Sequence, residues 1–314
     1  MVLKKGHRFI FSDLYPMKYQ QLGKSDLHIS RIGFGCMSLG DDQAANEKLL
    51  HHAVELGVNF FDTADLYQKG LNEISVGKAF KAKRKDIIIA TKAGNQWRAD
   101  GSGWDWNPKK EYILSCAEES LKRLQTDYID LYQLHGGTLD DPIDETISAF
   151  EQLHKQGKIR YYGISSIRPN VIREYVQRSN IVSVMMQYSL LDRRPEETCL
   201  TLLRENNIGV LARGPVAQGL LVNKPSKSYL NYTPQQVEQA AAAVHAVSDE
   251  KRNAAQTALQ FVLQHPSITS AIPGIRTMQQ LEEAVEALNT PLLSDNEMKI
   301  LQESVPVNVY EQHR

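Results

Sequence analysis

A chain of 314 residues, 42% hydrophobic and 23% charged, can bury a core without disulfide or metal staples. Its 36 Lys and Arg against 37 Asp and Glu leave a formal net charge of −1, which excludes long-range attraction to nucleic acid or an anionic membrane. The cysteines Cys36, Cys116 and Cys199 are scattered and fit neither a disulfide framework nor a zinc site, and no apolar run reaches the ~18 residues of a membrane span. The expectation is a cytoplasmic protein with no metal, no nucleic-acid partner and no membrane partner.

In chain order, Lys4, Lys5, His7 and Arg8 lead into Phe9-Ile10-Phe11, a stretch too short and interrupted for a signal peptide. Residues 1–16 read as an added or alternative-start extension, and residues 17–314 as one domain. Residues 19–32 contain a Gly23-Lys24-Ser25-Asp26 turn and read as a hairpin covering the lower mouth of the domain. Eight short apolar runs come next, at 32–37, 58–64, 86–93, 128–135, 159–166, 182–190, 209–216 and 269–275. Ile87-Ile88-Ile89-Ala90 and Val184-Met185-Met186 are continuously apolar, as strands buried on both faces should be. Segments of helical period separate them, at 47–56, 71–81, 109–124, 143–156, 169–178, 196–206 and 278–288, with two helices in 234–264 broken around 248–251. Gly57 and Gly157 stand where helices stop, and Pro142 and Pro169 where they start. Eight strands, each followed by a helix, predict an α/β fold: a parallel (β/α)8 TIM barrel with an N-terminal hairpin closing its bottom. A doubly wound sheet fits less well, because no G-x-G-x-x-G follows the first strand.

Barrel enzymes work at the C-terminal ends of their strands. Those ends carry Asp62, Lys92 and His135, with Tyr67 in the loop five residues after Asp62. Each alone has an ordinary structural role, as a turn former, a solvated charge or packing. Together at one mouth they make coherent chemistry. The Lys92 ammonium beside the Tyr67 hydroxyl favours phenolate and is expected to lower the phenol pKa from about 10, while Asp62 holds the lysine. His135 is placed to donate a hydrogen bond to a substrate oxygen, and Tyr67 to protonate a carbonyl that is gaining negative charge.

These residues sit in segments that resemble the aldo-keto reductase superfamily: Gly57-Val-Asn-Phe-Phe-Asp-Thr-Ala-Asp-Leu-Tyr67, Ile89-Ala-Thr-Lys92, Asp130-Leu-Tyr-Gln-Leu-His135, Gly157-Lys-Ile-Arg-Tyr-Tyr-Gly-Ile-Ser165 and Ala271-Ile-Pro-Gly-Ile-Arg276. The likeness runs in order from about Met17 to about Leu293. It implies an NADP(H)-dependent reductase of aldehydes and ketones, with Asp62, Tyr67, Lys92 and His135 as its tetrad and Tyr67 as the general acid. It further implies that the cofactor meets Cys36, Met37 and Asp62 after the first two strands. Ser165, Ser166 and Gln187 would take its nicotinamide amide. The loop Gly214, Pro215, Val216, Gln218 and Gly219, with Lys224 after it, would take its pyrophosphate, and Arg213 before it would lie against the nicotinamide or swing to the pyrophosphate. Gly274, Arg276, Gln280 and Glu283 would take the adenosine end, with Arg276 on the 2′-phosphate. Three positions depart from the family pattern: Ser166 and Ala284 replace asparagine, and Arg213 replaces an aromatic ring that stacks on the nicotinamide.

Trp97, Trp104 and Trp106 crowd one Gly-rich loop directly after Lys92, and this loop reads as a substrate-pocket wall. The basic run at 78–85 reads as the last turn of a helix completing its dipole. Two other readings stay open: a Schiff-base lyase using the Lys92 amine, and a redox-sensing regulatory subunit of the same fold. The resemblance implies a small-molecule carbonyl compound as the partner.

Overall fold

The computed structural model describes residues 16–314; the reading of the segment before them as an extension lies outside those residues. The chain opens with an antiparallel hairpin, β1 (Tyr19–Gln21) and β2 (His28–Ser30). Leu22, Leu27 and Ile29 of this hairpin form a buried cluster with Phe60, Ala90, Leu131, Val182, Leu211 and other inward side chains of the barrel strands. The hairpin is therefore the plug of the barrel's N-terminal end. Gly23 makes the close approach possible: its φ is +54°, and a Cβ there would lie 2.3 Å from the Val182 carbonyl oxygen.

From there the order is β3 (Phe34–Gly35), α1 (Gln43–Glu55), β4 (Phe60–Asp62), α2 (Leu71–Phe80) and β5 (Ile88–Ala93). A second hairpin, β6 (Asn95–Trp97) and β7 (Trp104–Trp106), precedes α3 (Lys110–Leu124), β8 (Ile129–Leu134) and α4 (Ile143–Lys155). The chain continues through β9 (Ile159–Ser165), α5 (Pro169–Arg178), β10 (Ser183–Gln187), α6 (Cys199–Glu205) and β11 (Gly209–Arg213). It ends with α7 (Pro234–Ala246), α8 (Ala254–Leu263), β12 (Ile268–Ile272), α9 (Met278–Glu286) and α10 (Asp295–Glu303).

The eight parallel strands run in the order β3, β4, β5, β8, β9, β10, β11, β12, and parallel bridges Ile32–Ala271 and Gly35–Gly274 close the ring. This is the (β/α)8 barrel expected from the sequence. Differences lie at the element ends. The first strand shrinks to two residues plus bridges, and α1 starts four residues early because the Asp42 side chain caps the Ala44 and Ala45 N–H groups. The expected break at 248–251 is real: α7 and α8 each begin with a capping box, Thr233 with Gln236 and Asn253 with Gln256. The tryptophan loop is not irregular but pairs Trp97 with Trp104 across β6 and β7, and α10 was not foreseen. No helix among the described residues is long and apolar enough to cross a membrane.

Candidate active site

The barrel geometry delivers four side chains to one cavity at the C-terminal mouth. Asp62 ends β4, and Lys92 lies one residue before the end of β5. His135 follows β8, and Tyr67 opens a 3-10 turn after β4 in which Gln68 and Lys69 take left-handed backbone angles. Lys92 is only 1% exposed. Its Nζ donates to Asp62 Oδ2 at 2.7 Å, to the Thr63 carbonyl oxygen at 2.7 Å and to Tyr67 Oη at 3.4 Å, so all three of its protons are placed. Gln133 Nε2 donates to the other Asp62 oxygen at 3.3 Å. The Tyr67 and His135 rings meet edge-on, with centroids 5.8 Å apart.

Electrostatics assigns each group a state. Burial alone would lower the Lys92 pKa, but the Asp62 carboxylate and the Tyr67 hydroxyl outweigh it, so the ammonium is held above its usual range. Burial pushes the Tyr67 phenol up, and Lys92 only partly opposes it. This corrects the expectation of a lowered phenol pKa: desolvation of the enclosed hydroxyl exceeds the pull of a lysine already neutralised by Asp62. Tyr67 is thus a proton-bearing phenol at neutral pH. Burial, with Lys92 and Arg213 nearby, drives His135 down to about 3, so its imidazole is neutral. His135 Nδ1 is buried with no partner in the protein.

The cavity has a volume of about 1,060 Å³. Besides the four residues it is lined by Met37, Ser165, Ser166, Gln187, Arg213, Gly214, Pro215, Val216, Gln218, Gly219, Lys224, Gly274, Arg276 and Gln280, and by Trp104 and Trp106. Cys36, Trp97 and Glu283 are not on its wall. Cys36 is fully buried against Phe34; the Trp97 indole turns to the Leu66 carbonyl and lies under Lys69; Glu283 accepts from Gln279 on α9. Arg213 donates to Gln187 Oε1 at 2.9 Å, and Gln187 Nε2 donates to Tyr229 Oη at 2.8 Å, so the amide orientation of Gln187 is set from both sides. Of the departures, Ser166 and Arg213 face the cavity and Ala284 is buried in α9.

A phosphate-bearing dinucleotide fits this wall. The loop after β11 puts Gly214 and the consecutive Ala217, Gln218 and Gly219 at positive φ, a tight turn conformation of the kind that turns successive N–H groups towards an anion. Lys224 and Arg276 stand exposed on the wall, and no carboxylate lies within ion-pairing distance of either among the described residues. Residues that sequence reasoning passed over also line the cavity, among them Ser38, Asn95, Thr138, Arg168 and Tyr229. Asn95 and Arg168 were in reach of it, being three residues beyond Lys92 and Ser165 at strand ends. Tyr229 was not, because it arrives from a long loop after β11.

A family model described as the aldo/keto reductase family matches residues 31–306. The chain belongs to the aldo/keto reductase family. It is 50% identical over 307 residues to the uncharacterized oxidoreductase YqkF of Bacillus subtilis (strain 168), covering 95% of this chain and 100% of that one. It is 51% identical to aldo-keto reductase AKR11C1 from Bacillus halodurans in its holo form, with a TM-score of 0.89 over 95% of this chain and 99% of that one. It is 31% identical to the NADH-specific methylglyoxal reductase of Escherichia coli (strain K12), over 91% of this chain and 98% of that one. The protein is therefore an oxidoreductase of this family, built on the barrel its sequence predicts.

Proposed function

We propose that this oxidoreductase reduces aldehydes or ketones to alcohols with NADP(H), using Tyr67 as the general acid. The observation that carries the proposal is the three-way contact of Lys92 Nζ with Asp62, Thr63 and Tyr67 at the mouth of the barrel. A bound nicotinamide cofactor supplies the hydride that reaches the carbonyl carbon. The protein's own part is the proton and the field. Tyr67 Oη–H donates to the carbonyl oxygen, and Lys92 stabilises the phenolate left behind while Asp62 keeps the ammonium in register. Neutral His135 donates a second hydrogen bond to the same oxygen and, with its pKa pushed down to about 3, is too weak a base to compete for the proton.

Ser165, Ser166 and Gln187 would hold the nicotinamide amide, the 214–219 loop and Lys224 the pyrophosphate, and Arg276 with Gln280 the adenosine phosphate. The E. coli relative is NADH-specific, so the preference for NADP(H) rests here on Arg276. A Schiff-base role for Lys92 fits poorly, because a nucleophilic amine must be free and unprotonated. The three free cysteines are all buried, which suits a cytoplasmic setting. The test is steady-state oxidation of NADPH and NADH with an aldehyde panel, for wild type and Tyr67→Phe. Aldehyde-dependent NADPH oxidation that disappears in the variant supports the proposal, and equal turnover in both removes Tyr67 from the acid role.

A further inference from the structure

We infer that the natural carbonyl substrate carries a carboxylate and that Arg168 recognises it. The inference rests on the proposed reductase reading of the site. Asp62 is the one carboxylate on the cavity wall among its described lining residues, and Lys92 already neutralises it. Four cations remain: Arg168, Arg213, Lys224 and Arg276. The last three belong to β11, the loop after it and the loop after β12: Lys224 and Arg276 are accounted for by a dinucleotide's phosphates, and Arg213 is tied to Gln187 at its nicotinamide end.

Arg168 is different in place. It follows β9, and its guanidinium donates to the Gly137 carbonyl oxygen, two residues beyond His135. The neighbouring Gly136 lies against the Trp106 ring, where an added Cβ would come within 3.1 Å. Arg168 thus sits beside His135 and the tryptophan wall, two strands round the ring from β11, which Lys224 follows, and three from β12, which Arg276 follows. Asp141, whose carboxylate lies by Gly137, is engaged elsewhere: it accepts from Trp106 Nε1 at 2.8 Å and from the Thr138 N–H and hydroxyl at 2.6 and 2.8 Å. No carboxylate lies within 4 Å of Arg168 among the described residues. A half-buried guanidinium with one nitrogen tied down presents its remaining planar donors to the cavity, and a carboxylate is the anion that matches them.

The test uses matched pairs: 2-, 3- and 4-carboxybenzaldehyde, each against its methyl ester, with NADPH or NADH. The acid and ester have similar aldehyde reactivity, and the three isomers scan the spacing between carbonyl and charge. At least one acid should exceed its ester about ten- to a hundredfold in kcat/KM. Arg168→Gln, which keeps a donor for Gly137, should erase that ratio, and Arg168→Lys should restore part of it. Esters reduced as well as acids in wild type, or a preference that survives Arg168→Gln, would overturn the inference. If no aldehyde is turned over with either cofactor, the reductase reading itself fails. Binding then decides the charge question, through quenching of tryptophan fluorescence by the three hydroxymethylbenzoates against their methyl esters. A preference for the acids that Arg168→Gln removes sustains the inference; no preference overturns it.

Discussion

Lys92 has no spare proton to offer and is shut away from solvent, so its neighbours decide what it does. Its partner Asp62 is 4% exposed, and removing the ammonium would strand a carboxylate inside the barrel. Lys92→Met is expected to cost about 3–5 kcal/mol of stability as well as activity, read by thermal or urea unfolding beside the assay. Tyr67→Phe separates the two effects. It deletes one 3.4 Å contact and leaves the Lys92–Asp62 pair intact, so the melting temperature should barely move. Carbonyl reduction should fall by at least ~10²–10⁴-fold. At the cavity's other end, Arg276 has no acidic partner among the described residues, so replacing it disturbs little but the ligand. Arg276→Ala should weaken NADPH binding roughly 10- to 150-fold in a direct titration while leaving NADH nearly unchanged. Equal losses would show that the guanidinium does not read the 2′-phosphate.

Among the elements, the β6–β7 hairpin matters most for the substrate side, because it carries Trp104 and Trp106 to the cavity. Its seat depends on two glycines against the Trp106 ring, Gly94 and Gly136. Gly94 has φ +130°, and a Cβ there would fall 2.6 Å from the Trp106 ring, so Gly94→Ala must push the hairpin outward. The expected cost is about 1–3 kcal/mol of stability, with a raised KM and Tyr67 chemistry otherwise in place. An unchanged KM and melting temperature would mean that the ring moves freely and does not form a fixed wall. This hairpin also marks the limit of what the sequence discloses. The barrel strands were legible because apolar runs such as Ile87–Ala90 have no reading on one face only, and the Asp62, Lys92 and His135 positions followed from them. β6 and β7 are three residues each, bracket a turn with two glycines and gain their pairing from Trp97 and Trp104, so no periodicity announces them. Capping was missed for a related reason: Asp42 lies several residues before the apolar period of α1 begins. Trp97 and Cys36 illustrate a third limit. Sequence places a residue near a strand end, but which way its side chain turns is settled by packing partners such as Leu66 and Phe34.

Across the whole molecule, two buried groups, Asp65 and His135, set opposing dependences of stability on pH, and neither shift was visible before its surroundings were known. Asp65 lies just before Tyr67 and has one carboxylate oxygen with no partner. Burial raises its pKa to about 7, Glu73 adds to the rise, and Arg123 offsets part of it; Cys116 and Tyr112 lie in the same cluster. Between its unfolded value of 3.8 and about 7, the folded state binds more protons than the unfolded one. The Asp65 contribution is therefore fully present below pH 4 and is lost as pH rises through 7. His135 runs the other way. Its folded pKa of about 3 lies below its unfolded 6.5, so its contribution is complete above pH 6.5 and is lost on acidification towards 3. From pH 4 to 6.5 the two slopes oppose each other, and the wild-type profile should be flatter than either alone would make it. Asp65→Asn removes one side of this balance while keeping the shape of the side chain. Relative to wild type, the variant should gain on the order of 2–4 kcal/mol more at pH 8 than at pH 4.5, since the buried carboxylate no longer has to ionise. Its own stability should then fall more steeply than wild type's as pH drops below 6.5, with His135 less opposed. Urea unfolding of both proteins at pH 4.5, 6.5 and 8 measures this directly. Parallel curves would show that Asp65 is already ionised at neutral pH, stabilised by Arg123 more than burial and Glu73 disfavour it.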